Sequence, residues 1–127
     1  MGMSGYLKDV LLGHTLLGSS VTLPTTVYLS LATSCNSIGT VFQEVSQPSY
    51  SRQRYSGGAP SSFVVTNAAT ISFGTALTTW GLVKHVGIWD APTGGNLLYL
   101  YNLTGVGRKI VPNMPVYVNS SAFRISY

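Results

Sequence analysis

The chain has 127 residues, of which 45% are hydrophobic, 11% aromatic and only 8% charged, against roughly 25% charged residues in an ordinary soluble domain. Sixteen serines and thirteen threonines fill much of that gap, so the surface is polar but nearly uncharged. This composition excludes a disordered chain, which combines low hydrophobicity with high net charge, and the length suits one domain that buries its own core without a disulfide or metal staple.

Seven Lys and Arg against three acids leave a formal charge of +4. The cations Lys8, Arg52, Arg54, Lys84, Arg108, Lys109 and Arg124 are scattered, and only Arg52/Arg54 and Arg108/Lys109 lie close together. A protein that neutralises a run of phosphates carries a clustered basic stripe, so no nucleic-acid partner is expected. Cys35 stands alone, which leaves no intrachain disulfide and no cysteine-based metal site. No stretch approaches the ~20 apolar residues of a membrane span. Lys8, Asp9, Gly13 and His14 interrupt the apolar run that a secretory signal would need. The expectation is a protein made in a cytoplasm, with no membrane partner.

Residues 6–17 carry a helical period. Tyr6, Leu7, Val10, Leu11 and Leu17 recur at spacings of three, four and seven, with Ser4 as N-cap and Gly18 as stop. From Val27 the period changes to two: Val27, Leu29 and Leu31 alternate with Tyr28, Ser30 and Ala32, the pattern of a strand with one buried face. Residues 34–40 read as a polar loop, residues 50–54 as a short strand, and residues 53–62, rich in Gly, Ser and Pro, as a mobile loop. Residues 63–66 and 70–73 read as two strands joined through Asn67, which tolerates turn geometry.

Residues 82–89 predict the central strand, with Val83, His85, Gly87 and Trp89 on one face and Lys84, Val86 and Ile88 on the other. Asp90, Pro92, Gly94 and Gly95 supply a tight reversal, so residues 96–101 return as the hairpin partner. A further turn lies at residues 104–107. Pro112 and Pro115 cannot donate to a ladder and mark an edge, bulge or loop, and residues 116–118 and 122–127 complete the sheet. The fold class is therefore mainly β, a β-sandwich or jelly-roll-like domain with one short N-terminal helix. It forms a single domain over residues 1–127, a helical segment at 1–22 and a β-sandwich at 23–127.

Chemistry finds little to work with. Asp9, Glu44, Asp90, His14, His85 and Cys35 are the groups that could titrate near neutrality, and none stands in a metalloprotease, nucleophile-elbow or phosphate-loop motif. His85 and Asp90 lie five residues apart along one strand, too far separated for a triad; His85 reads as a hydrogen-bonded strand residue, His14 as a helix residue that is packed or at an interface, and Asp90 as a turn cap. Gly105, Gly107, Arg108 and Lys109 resemble half of a phosphate cradle, but no helix follows to stabilise an anion, and a hairpin turn with two exposed cations fits better. No catalytic residue, cofactor or metal site is assigned. Few charges, many Tyr, Ser, Thr and Asn, and strand alternation to Tyr127 suit subunit contact, because interface cores are depleted in charge and enriched in aromatics.

Three stretches carry a resemblance: residues 6–14 (Tyr-Leu-Lys-Asp-Val-Leu-Leu-Gly-His), residues 50–53 (Tyr-Ser-Arg-Gln) and above all residues 80–98, from Trp80-Gly81 through Trp89-Asp90-Ala91-Pro92-Thr93-Gly94-Gly95 to Asn96-Leu97-Leu98. Together they resemble a widespread family of small structural proteins of tailed bacteriophages, labelled tail-fibre-like or head-decoration proteins. The resemblance implies a non-enzymatic virion component. Its final segment differs from the family's usual glycine-containing turn, with Val111, Pro112, Asn113, Met114 and Pro115 in that place.

Of the two labels, head decoration is the expectation. A 127-residue domain without heptads, repeats or a β-helical pattern does not make an elongated shaft by itself. The expected partner is the major capsid protein of the same virion, contacted by a homodimer or homotrimer on the head surface. A tail fibre or accessory adhesin is the alternative, and a carbohydrate-binding module, using its aromatic faces, a further one. Candidate interface residues are Arg52, Arg54, Trp80, Trp89, Tyr99 and Tyr101, with a core role as the competing reading for the tryptophans. Loss of Arg52 and Arg54 is expected to weaken attachment without unfolding the domain.

Overall fold

A computed structural model describes residues 2–20, 26–55, 57, 64–103, 107–119 and 124–126. Helix α1 (Gly5–Leu17) starts at Ser4, whose side-chain oxygen accepts a hydrogen bond from the Leu7 amide at 3.2 Å, and stops at Gly18, which takes up the left-handed conformation at φ 69°. Both ends fall where the sequence puts them, because an N-cap oxygen and a left-handed stop are local devices. The packing differs from a broad amphipathic face. Leu7 is buried and Val10 and Leu11 are half-buried, whereas Tyr6, Leu12, Leu16 and Leu17 are exposed.

Strands follow as β1 (Val27–Cys35), β2 (Phe42–Glu44), β3 (Gln53–Tyr55), β4 (Val64–Thr66), β5 (Ile71–Thr75), β6 (Gly81–Val83), β7 (His85–Trp89), β8 (Leu97–Asn102), β9 (Arg108–Ile110), β10 (Pro115–Val118) and β11 (Arg124–Ser126). All the pairings among them are antiparallel. The principal sheet runs β2-β1-β7-β8, and β3 also pairs with β1, beside its N-terminal half, while β2 takes the C-terminal half. Three two-stranded pairs complete the set: β5 with β10, β4 with β11, and β6 with β9. Along the free side of β8, Met3 bridges to Tyr99, the Ser4 amide donates to Leu98 O at 2.8 Å and Leu100 N donates to Gly2 O at 2.9 Å.

β1 is buried from Leu29 to Ala32 without alternation, so it is covered on both faces rather than one. Leu29 and Leu31 join Val86, Ile88, Tyr55, Ile71, Phe73, Trp80, Val83 and Ile110 in the main core, between the principal sheet and the β5 and β6–β9 pairs. Ser30 and Gly87 stand opposite one another and face the other way. There the Phe42 ring and Leu97 close over Gly87 so tightly that an added Cβ would lie 2.8 Å from each, which explains a glycine in the middle of a buried strand. Among the described residues the structure is thus mainly β, in antiparallel sheets, with one short N-terminal helix, as predicted.

The pairings correct several local readings. Residues 82–89 are not one strand: the chain breaks at Lys84, whose amide donates to Ala32 O and whose carbonyl accepts from Leu103 N, so β6 leaves for β9 while β7 stays between β1 and β8. Because of that break Val83, expected on the face opposite Val86, shares the core with it. The two strands expected on either side of Asn67 are present as β4 and β5, and their partners lie far along the chain: β4 pairs with β11 and β5 with β10. Asn67 is wholly buried between them, and its amide donates to Ala69 O and Asn119 O at 3.0 and 2.6 Å. The polar loop predicted at 34–40 lies at 36–41, since β1 continues to Cys35, and an unpredicted β2 follows it from Phe42. The strand predicted at 50–54 lies at 53–55. Of the loop predicted at 53–62, residues 56 and 58–62 lie outside the described residues, as do residues 104–106 of the later turn.

Ser4 couples helix to sheet. Its hydroxyl is 2% exposed and, besides capping α1, donates to Leu97 O. Ser4→Ala should cost about 2 kcal/mol, roughly half from the cap and half from a bare buried carbonyl, read as a lower urea midpoint with partial loss of helical circular dichroism.

Candidate functional site

With three acids in the whole chain, the position of each one organises its surroundings. Glu44 sits on β2 and Arg52 in the segment leading to β3. Both have little access to water, the side chains being 23% and 7% exposed. Arg52 grips Glu44 bidentately, Nε to Oε2 and Nη2 to Oε1, each at 2.9 Å, the geometry that makes guanidinium–carboxylate pairs strong. Its Nη1 donates to Ala91 O at 2.9 Å and Gly94 O at 2.8 Å. The guanidinium carbon lies 3.9 Å from the centroid of the Trp89 ring, a cation–π contact.

From this node the contacts spread in two directions. Trp89 Nε1 donates to Ser30 Oγ at 2.8 Å and its ring meets Phe42 edge-on at 5.6 Å. Tyr50 OH donates to Glu44 Oε2 at 2.7 Å and accepts from Leu31 N at 3.0 Å, while its ring stacks on Phe73 and meets Trp80 edge-on. Burial pushes the Tyr50 phenol well above the usual tyrosine range; the Leu31 amide lowers it and Glu44 adds to the rise.

The node presents a turn. Residues 90–95 are held from beneath by Arg52 and from the side by Asp90, whose Oδ1 accepts from Asn96 N at 2.7 Å and Oδ2 from Asn96 Nδ2 at 3.0 Å. Gly95 has φ 73° and a Cβ there would collide with Asp90 Oδ1, so only glycine fits. Pro92, Thr93, Gly94, Gly95 and Asn96 are all exposed. The result is a braced, solvent-facing tip at the end of the β7–β8 hairpin, whose exposed residues 92–96 carry no charge. It falls within residues 80–98, the stretch singled out in the sequence.

The six interface candidates do not form one surface. Arg52 is turned inward, with four of its five N–H donors engaged within the fold, so its loss is expected to lower the stability of the domain as well as any attachment. Trp80 is a core residue, 3% exposed, with Nε1 near Pro48 O at 3.4 Å. Tyr99 and Tyr101 are half-buried against the main core, opposite Ile88 and Val86, while Trp89 faces the other side of the sheet. Arg54 is exposed.

The other titratable groups are spread out. His85 Nδ1 is 2.6 Å from Asn102 Oδ1 across the sheet, His14 Nδ1 is 2.9 Å from Ser19 O, and burial pushes the Cys35 thiol up. Asp90 and His85 engage separate asparagines at opposite ends of β7. Arg108 and Lys109 are exposed on β9, paired with β6 rather than with an adjoining strand. A cavity of about 450 Å³ is walled mainly by apolar residues, among them Leu31, Phe73, Val86 and Met114, with Arg108 as its charged lining residue. Among the described residues no group of three or more His, Cys, Asp or Glu could hold a metal ion.

The family model described as Podophage GP4 fiber I protein gp80 matches residues 2–126. A search of the curated proteins found no match.

Arg52→Ala should cost about 2–3 kcal/mol, since it strands Glu44 and two turn carbonyls; Arg54→Ala should stay within about 0.5 kcal/mol. Urea unfolding checks both. Because the folded pKa of Tyr50 is raised, its contribution to stability is complete below the ordinary tyrosine value of about 10 and is lost as pH climbs above it. Tyr50→Phe should therefore be less stable at neutral pH but lose less stability between pH 9 and about 12 than the parent chain, measured by denaturant unfolding at each pH.

Proposed function

Because the chain belongs to the podophage GP4 fiber I protein gp80 family, and so to the structural proteins of tailed phages, we propose that it is a compact subunit of a virion fibre. One observation carries this reading: the match to a fibre-protein family spans residues 2–126, so the β domain itself is the unit that the family shares. The head-decoration expectation rested on the lack of a shaft-forming pattern. That argument limits the shape of the subunit rather than its place. Among the described residues the longest strand has nine residues, and the chain suits a globular module of a fibre better than its shaft.

The braced turn at residues 90–95 supports the same reading. A subunit that meets other proteins or a host surface benefits from a tip that does not reorder on contact, because ordering a loop on binding opposes association. Exposed Thr93 and Asn96 provide hydrogen-bonding groups without the desolvation cost of charge.

Quantitative mass spectrometry of purified particles, with immunogold labelling of the same chain, separates the two locations. A fibre subunit is expected on the order of tens of copies with label at the tail; on the order of hundreds of copies, set by the symmetry of a shell, with label over the head would instead assign the decoration role.

A further inference from the structure

On the side of helix α1 turned away from the sheet, Leu12 and Leu16 are 55% and 74% exposed, between the exposed polar residues Lys8, Asp9 and Thr15. Leu17 and Tyr6, 82% and 46% exposed, lie about 100–120° further round the helix, beyond Asp9. At 3.6 residues per turn, Gly5, Leu12 and Leu16 fall within about 40° of one another. The stripe continues onto the turn after β1, where Ile38 accepts from the Gly5 amide through its carbonyl and exposes its side chain, as Val41 does in the same turn. Leu12 and Leu16 with Ile38 and Val41 leave on the order of 400 Å² uncovered, within the range of the largest apolar patch on a monomer and about half of the ~800 Å² per partner in a standard interface.

The charges beside the stripe identify what covers it. Lys8 and Asp9 are exposed and lie about 50° to either side of the Gly5–Leu12–Leu16 line, at the same height on the helix. When two such helices pack in parallel around a rotation axis, the left flank of one meets the right flank of the next, so Lys8 of one copy faces Asp9 of its neighbour. Antiparallel packing brings like flanks together and forfeits the match. We infer that α1 is a self-association seam, through which two or three copies of this chain pack their helices in parallel around a rotation axis, with Leu12 and Leu16 at the centre and Lys8–Asp9 pairs at the margin.

The seam is independent of whether the subunit serves head or tail. Sedimentation equilibrium of the full chain at micromolar concentration should give a dimer or trimer. Leu12→Asp combined with Leu16→Asp should give a monomer whose urea midpoint equals that of the parent chain diluted below its dissociation constant, since both side chains lie outside the core and only the mass-action contribution of assembly is lost. Lys8→Asp and Asp9→Lys should each weaken association about two- to five-fold per contact, and the two together should restore it, because the reversed pair still matches in a parallel seam. Leu16→Cys in a Cys35→Ser background should cross-link to its own counterpart on oxidation. A monomeric parent chain at 100 µM (roughly a hundred-fold above the ~1 µM dissociation constant that such a seam needs), an assembly indifferent to the two Asp substitutions, or a double charge reversal no better than the single ones would overturn the inference.

Discussion

The Arg52–Glu44 contact is the constraint on which the arrangement of the sheet depends. A partly buried ion pair is costly unless its remaining hydrogen-bonding capacity is met, and here it is met from three directions: Tyr50 completes the carboxylate, two carbonyls of the 90–95 turn occupy the guanidinium, and Trp89 shields its face. The partners come from segments tens of residues apart. Shifting β2 along β1 by one residue would carry Glu44 to the opposite face and dissolve all of these contacts together. A chain with so few charges has concentrated one pair where it fixes register.

Tyr50 connects that polar node to the apolar interior. Its ring belongs with Phe73 and Trp80, its hydroxyl with Glu44 and the Leu31 amide. Tyr50 thus touches both the node beneath the turn and the main core, and Trp89 touches the node and, through Ser30, the other face of the sheet. The tip is braced from beneath by the pair and the two aromatic residues, and from within by the Asp90 carboxylate on Asn96.

Features closed by neighbours in sequence were legible. Ser4 and Gly18 bound the helix, and Asp90 with Gly94 and Gly95 closes the β7–β8 hairpin, because each device acts within a few residues. Features closed by distant partners were not. No local signal tells that β6 departs at Lys84 to join β9, or that β4 pairs with β11. Arg52 read as a surface cation because its surroundings in sequence are polar; its ligands at Ala91 and Gly94 lie about forty residues on. The competing core reading for the tryptophans fits Trp80, and Glu44, named in the sequence only as a group that could titrate, has its partners eight and six residues on, in Arg52 and Tyr50. The phage family was legible from residues 80–98, which hold the turn the node supports.

The lining of β8 by residues 2–4 has a consequence for how the subunit accumulates. An uncovered strand edge is a template onto which further chains can add backbone to backbone, without limit and without regard to side chains. Here that side of the principal sheet is already occupied by the chain's own N-terminal segment, and the other side is divided between β2 and β3, each three residues long. Concentrated copies are thereby steered away from amyloid-like growth, and association is left to surfaces whose chemistry can count and orient its partners.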